Sequence, residues 1–195
     1  MNEIKIAEAY EKTLQIPKNK PEKQIMVCQV GYVGSGKTTV IKALSERLSL
    51  LRISTDEIRR LLKENGYGYD DVRKMAYTLA EKYISNGFSV AMDGNCSSEE
   101  AQEKINQIKN KHKIKVFWIH INPPEEFILN KLKNYKHTWL FKNAEQAVEN
   151  YKTSKAKHHK NINFPFIYTF DTSRDDLDKQ IKEAVAIIGG EKRKR

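Results

Sequence analysis

A chain of 195 residues with 39% apolar content is long enough to bury one core without disulfides or a structural metal, so a single domain is expected. No window approaches the roughly 18 uninterrupted apolar residues of a membrane span, and the start MNEIKIAEAY lacks a signal peptide's apolar stretch; the expectation is a cytoplasmic protein without membrane contact. The formal charge of +10 favours anionic partners, and two cysteines, Cys28 and Cys96, supply neither a disulfide framework nor zinc spacing.

In chain order, residues 2–14 put Ile6, Tyr10 and Leu14 on one side of a short helix, and the proline-bearing IPKNKPEK reads as a linker, so residues 1–23 look peripheral. Five short apolar runs then alternate with helical patterns, which predicts a parallel sheet flanked by helices: IMVCQV (25–30), LRIS (51–54), FSVAMD (88–93), KVFWIHI (115–121) and FIYTF (166–170). Asp70 and Asp71 open a helix that stops near Gly87, and Ser97 with Glu100 reads as a capping box for the next. The end, GGEKRKR, follows two glycines and reads as a basic tail over 190–195.

Gly31 to Thr39 reads GYVGSGKTT, a G-x-x-x-x-G-K-[ST] segment placed between a buried strand and a helix. Gly31, Gly34 and Gly36 permit torsions that turn successive N–H groups inward, the helix start adds positive potential, and Lys37 neutralises phosphate oxygens. Gly31, Gly34, Ser35, Gly36, Lys37, Thr38 and Thr39 are therefore candidate ATP-binding residues, with the Thr38 hydroxyl on Mg²⁺. A glycine-rich turn without ligand is the plain alternative, and GTPases, motor ATPases and kinases share the motif.

The second strand ends in ISTDEIRRLL. Ligands gather beyond the carboxyl ends of parallel strands, so Asp56 shares a rim with the glycine-rich loop. It is a candidate base for an acceptor hydroxyl, and Arg59 on the same helix face is a candidate phosphate ligand. The alternative is that Asp56, Ser54 or Thr55 caps the helix while the arginines are solvated. The third strand ends in Asp93, a candidate Mg²⁺ carboxylate, with Asn95 a candidate substrate ligand; Asp-Gly-Asn is also ordinary turn chemistry.

Together GYVGSGKTT, STDEIRR, VAMDGN and a late FDTS resemble the P-loop kinase group that includes polynucleotide 5′-hydroxyl kinases, seryl-tRNA kinase and the zeta-toxin and chloramphenicol phosphotransferase relatives, over residues 24–188. The resemblance implies a nucleotide-kinase-like α/β/α fold over 24–189 with sheet order 2-3-1-4-5 and a lid at about 134–160. It also implies Asp56 as base, Arg59 as acceptor-phosphate ligand, and a loop at Asp171, Thr172 and Ser173 bordering adenine. That loop also reads as the cap of the last helix, through Thr172 or Ser173. Such kinases carry arginines in the lid, whereas PEEFILNKLKNYKHTWLFKN has none; Lys131, Lys133 and Lys136 are left as point charges, with Lys131 and Lys136 as candidate substrate ligands. Trp139 and Phe141 read as packing or as stacking platforms, and His112, His120, His137, His158 and His159 form no metal set.

The expected activity is transfer of the ATP γ-phosphoryl group to a hydroxyl of a phosphate-bearing acceptor, nucleotide-like or an RNA or DNA 5′ end. The alternatives are an ATP-binding module without transfer, a kinase of a nucleoside, sugar or antibiotic, and a toxin-like kinase of a nucleotide-sugar.

Overall fold

The computed structural model describes residues 3–136, 140–158 and 164–193. Trp139, His137 and His159 lie outside them, as does the side chain of His158. The elements are α1 (Glu3–Glu11), β1 (Ile25–Val30), α2 (Lys37–Leu48), β2 (Leu51–Ser54), α3 (Thr55–Glu64), α4 (Val72–Ser85) and β3 (Val90–Asp93), followed by α5 (Glu99–His112), β4 (Lys115–Ile121), α6 (Glu125–Lys133), α7 (Ala144–His158), β5 (Phe166–Phe170) and α8 (Leu177–Arg193). The strands form one parallel sheet in the order β2-β3-β1-β4-β5, as the resemblance implied.

β1 is buried along its whole length because helices cover both faces. Met26 and Cys28 face the core shared with α1, α3, α4 and α5, whereas Ile25 and Val27 alternate to the other side, against α2 and α8. A third apolar cluster, Ile128, Leu132, Phe141, Ala147 and Tyr151, joins α6 and α7 and takes in Tyr32 and Val33 of the glycine-rich loop. Phe141 is thus a packing residue, its ring edge-on to Tyr135 at 5.6 Å. No helix among the described residues is long and apolar enough to cross a membrane.

Three expectations change. The N-terminal helix is integral: Ile6 and Tyr10 are fully buried, and the Tyr10 hydroxyl accepts the Ser54 backbone N–H at 2.6 Å where β2 meets α3. The α5 cap is Ser98, whose Oγ accepts the Ala101 N–H, while the Ser97 Oγ is buried without a partner among the described residues. The chain does not leave the helix at Gly189 and Gly190; α8 continues to Arg193, since Ile181, Ala184 and Ile188 are buried upstream and dock the helix. Two glycines cost a docked helix about 1 kcal/mol each, too little to end it.

Tyr10 closes the open edge of β2 at the strand tip. Tyr10→Phe leaves the Ser54 N–H unsatisfied in a buried place and is expected to cost about 1–3 kcal/mol. Equilibrium denaturant unfolding checks this; an unchanged midpoint would show that water replaces the phenol.

Candidate active site

The glycine-rich loop occupies the mouth of β1 and passes directly into α2. Gly36 is the N-cap of α2 at φ 92° and ψ 14°, a left-handed conformation that side chains disfavour. A Cβ there would stand 2.9 Å from the Thr172 methyl. Gly31 is needed for space rather than for torsion, which corrects its expected role: its φ is not positive, and a Cβ would meet the Ile121 carbonyl oxygen at 2.6 Å. Gly34, at φ 81°, lies beneath Leu132 and Ile128 of α6.

Thr172 links the loop after β5 to the cradle, its Oγ1 donating to the Ser35 carbonyl at 2.6 Å. Asp171 is turned to local work, accepting from the Ser173 N–H and hydroxyl at 3.0 and 2.5 Å. Because α8 starts at Leu177, neither Thr172 nor Ser173 caps it. The Ser35 side chain is buried with its Oγ unpartnered among the described residues, and Thr39 opens the first turn of α2 with its N–H on the Gly36 carbonyl.

Lys37 is half-buried, and its Nζ donates to the Tyr32 carbonyl at 2.6 Å, inside the loop. Burial pulls its ammonium down to about 8, against the opposing pull of the Asp56 and Asp93 carboxylates. Both carboxylates therefore lie within electrostatic reach of the cradle lysine.

Asp93, at the tip of β3, is 3% exposed, and three donors converge on it. Oδ1 accepts from Gln29 Nε2 at 3.0 Å and Thr38 Oγ1 at 3.1 Å; Oδ2 accepts from Arg52 Nη1 at 2.5 Å. Burial pushes the Asp93 carboxyl above its ordinary range, while Arg52 and Thr38 pull it back part of the way. Arg52 and Gln29 are the residues that sequence reasoning missed. The available signal was a cation between the buried apolar Leu51 and Ile53 of a four-residue strand, since a partly buried guanidinium needs a carboxylate partner.

The arrangement suits a hard divalent cation. Thr38 Oγ1 and Asp93 Oδ1 offer two oxygens side by side, and Gln29 Oε1 is a fully buried acceptor without a partner among the described residues. No cluster of three or more His, Cys, Asp or Glu exists among the described residues, so a Mg²⁺ held at Thr38 and Asp93 would take the rest of its sphere from phosphate oxygens and water.

Ser54 caps α3, accepting the Glu57 N–H, which leaves Asp56 free of capping duty. Asp56 Oδ1 accepts from Arg59 Nη1 at 2.5 Å, and both side chains are partly open to the cleft, at 43% and 30% exposed. Asn95 stands two residues beyond Asp93 with Oδ1 buried and unpartnered among the described residues. Lys131 and Lys136 are exposed and make no ion pair among the described residues; Lys131 Nζ rests 5.9 Å from the Phe127 ring centre on the helix that covers Gly34. The structure thus gathers Lys37, Thr38, Asp56, Arg59 and Asp93 on one rim and leaves the two lysines at its margin.

The lowered Lys37 sets a pH response. Its folded value, about 8, lies below the ordinary lysine value of 10.5, so as the pH rises through 8 the free cradle loses a positive charge that a bound triphosphate would retain. Binding AMP-PNP near pH 8 is expected to take up roughly half a proton, and affinity to fall at most tenfold per pH unit above that. Calorimetry in buffers of different ionisation enthalpy reads the sign; proton release would contradict it.

Residues 26–157 match the model of the AAA domain family, which is well over half of the chain. No curated protein matches. Among solved structures, a protein of Chloroflexus aurantiacus is 14% identical over 85% of this chain and 97% of that one, with a TM-score of 0.65. Shikimate kinase from Acinetobacter baumannii in complex with shikimate is 16% identical over 96% and 99%, with a TM-score of 0.55. The Mycobacterium tuberculosis APS kinase in complex with AMPPNP and APS is 16% identical over 87% and 99%, with a TM-score of 0.53. At these identities the likeness establishes a P-loop kinase fold, and the family match establishes that the chain belongs to the AAA domain family.

Proposed function

We propose that this chain is an ATP-dependent phosphotransferase that moves the γ-phosphoryl group to a hydroxyl of an acceptor carrying an anionic, nucleotide-like group. The observation that carries it is the Asp56–Arg59 pair at the tip of β2, close enough to Lys37 and Asp93 to share their electrostatics. A bare ATPase has no need of a carboxylate and a guanidinium paired on the acceptor side of the cradle.

In this reading the loop amides of 31–37 and Lys37 hold the phosphates, and Thr172 pins the nucleotide-side loop against the cradle. Thr38 and Asp93 would hold Mg²⁺, which neutralises charge on the phosphate oxygens. The acceptor oxygen attacks the γ-phosphorus, the bond to the β–γ bridging oxygen breaks, the hydroxyl proton passes to Asp56, and ADP leaves. One Arg59 nitrogen is engaged by Asp56; its remaining donors would bind the acceptor anion. Asn95, Lys131 and Lys136 would contribute to acceptor binding, the lysines as point charges without the arginine fork.

A second reading, a kinase of a small polyol or nucleoside, is supported by the similar structures, whose names include shikimate kinase and a gluconokinase. The net charge of +10 and Arg59 support the nucleotide-like acceptor, with a DNA or RNA 5′ end as its largest form. Transfer from labelled ATP, screened over 5′-hydroxyl oligonucleotides, nucleotides, nucleosides and sugars, separates the two. Release of ADP with no labelled acceptor in any class would overturn transfer altogether.

Substitution tests the roles. Lys37→Ala is expected to abolish both AMP-PNP binding and transfer, whereas Asp56→Asn keeps binding and loses transfer by about 10² to 10⁴. Full turnover in Asp56→Asn removes that carboxylate from the chemistry.

A further inference from the structure

Arg52 sits on β2, paired in register with Ala91, so its side chain projects on the same face as Asp93 two residues further along β3. Its side chain is 19% exposed and makes two ionic contacts: Nη1 to Asp93 Oδ2 at 2.5 Å, and Nη2 to Glu57 Oε1 of α3. A guanidinium gripped at both amino groups by two carboxylates has its plane and its reach fixed. Oδ2 of Asp93 is thereby committed to Arg52.

The opposite oxygen faces the cradle. Oδ1 is met by Gln29 Nε2 and by the Thr38 hydroxyl, and only the hydroxyl can rotate to offer a lone pair elsewhere. Such a carboxylate can serve a cation through Oδ1 alone, directly or through water, and cannot chelate with both oxygens. We propose that Arg52 is a positioning residue for the metal-binding carboxylate: clamped by Glu57, its guanidinium holds Asp93 so that a single oxygen faces the phosphate cradle. This rests on the reading of Asp93 as the Mg²⁺ carboxylate.

Lysine cannot replace the fork, because one ammonium on a flexible stem reaches one carboxylate and leaves the other unpaired. Glu57 is 45% exposed and borders a cavity of about 910 Å³ that it shares with Tyr10, Leu14, Lys42 and Arg60, so an amide is accommodated there without a clash.

The test measures AMP-PNP binding to the full chain by calorimetry over a series of Mg²⁺ concentrations, with an EDTA arm and circular dichroism on every variant. Arg52→Lys is expected to raise the Mg²⁺ concentration for half-maximal enhancement about tenfold while leaving affinity in EDTA unchanged. Asp93→Asn should raise it at least as far, and the double variant no further than Asp93→Asn alone. A midpoint that moves in Asp93→Asn but not in Arg52→Lys overturns the role of Arg52 and leaves the metal carboxylate standing. A midpoint unmoved in Asp93→Asn sinks the metal reading itself. Should Arg52→Lys fail to fold, Glu57→Gln takes its place, with an expected shift of about threefold; no shift there overturns the clamp.

Discussion

A carboxylate almost wholly removed from water at the tip of β3 is the constraint around which this protein is organised. Unpaired, Asp93 would cost several kcal/mol of desolvation. Three donors from three elements offset that cost: Gln29 from β1, Arg52 from β2 and Thr38 from the start of α2. The register has no freedom here, since Ser54 pairs with Asp93 and Arg52 with Ala91. A slip of one residue would turn Arg52 to the α4 side and leave the acid without its cation. The same contacts that make the charge tolerable also place β2, β3 and β1 side by side, with the cradle at the end of the third.

The rim is electrically balanced before any ligand arrives. Lys37, Arg52 and Arg59 stand against Asp56, Glu57 and Asp93, and two of the three cations are committed to carboxylates. Only Lys37 is unclamped by an acid; its partner is the Tyr32 carbonyl, and burial has already weakened its hold on the proton. A triphosphate entering this site meets one cation free to turn toward it and a helix start with unpaired amides. Among the described residues, Lys131 and Lys133 add positive charge on the α6 side.

The strand runs and the glycine-rich segment were legible because each obeys a local rule. An apolar run between turn signals predicts a buried strand, and all five lie within two residues of their expected limits. Sheet order came from resemblance alone, since nothing local specifies which strand neighbours which. Arg52 was hidden because its partner Asp93 is 41 positions away, and only the parallel pairing of β2 with β3 brings them together. Tyr10 was hidden likewise: its hydroxyl meets an amide 44 positions on, so a helix that looks detachable by composition closes the sheet edge. Pattern pointed to Ser97, since Glu100 three residues on completes a capping box, whereas Ser98 is followed by Ala101 and caps through its own hydroxyl and the backbone alone.

The apolar cluster over the cradle ties nucleotide binding to the outer layer. Tyr32, second in the glycine-rich segment, packs edge-on against the buried Tyr151 of α7 at 5.5 Å, and the Tyr151 hydroxyl donates to Glu125, which pairs with Lys155 at 2.6 Å. Tyr32 also holds Lys37 through its backbone carbonyl, so one residue joins the phosphate lysine to the α6–α7 packing. Were Lys37 to turn to a phosphate, that carbonyl would lose its donor, while the ring has its packing in the apolar cluster. Movement of the loop is therefore opposed by the burial of Tyr32, Val33, Ile128, Leu132 and Tyr151 together. Gly34 lies directly beneath Leu132, with no room for even a methyl group between them, so close packing couples the loop to the position of α6.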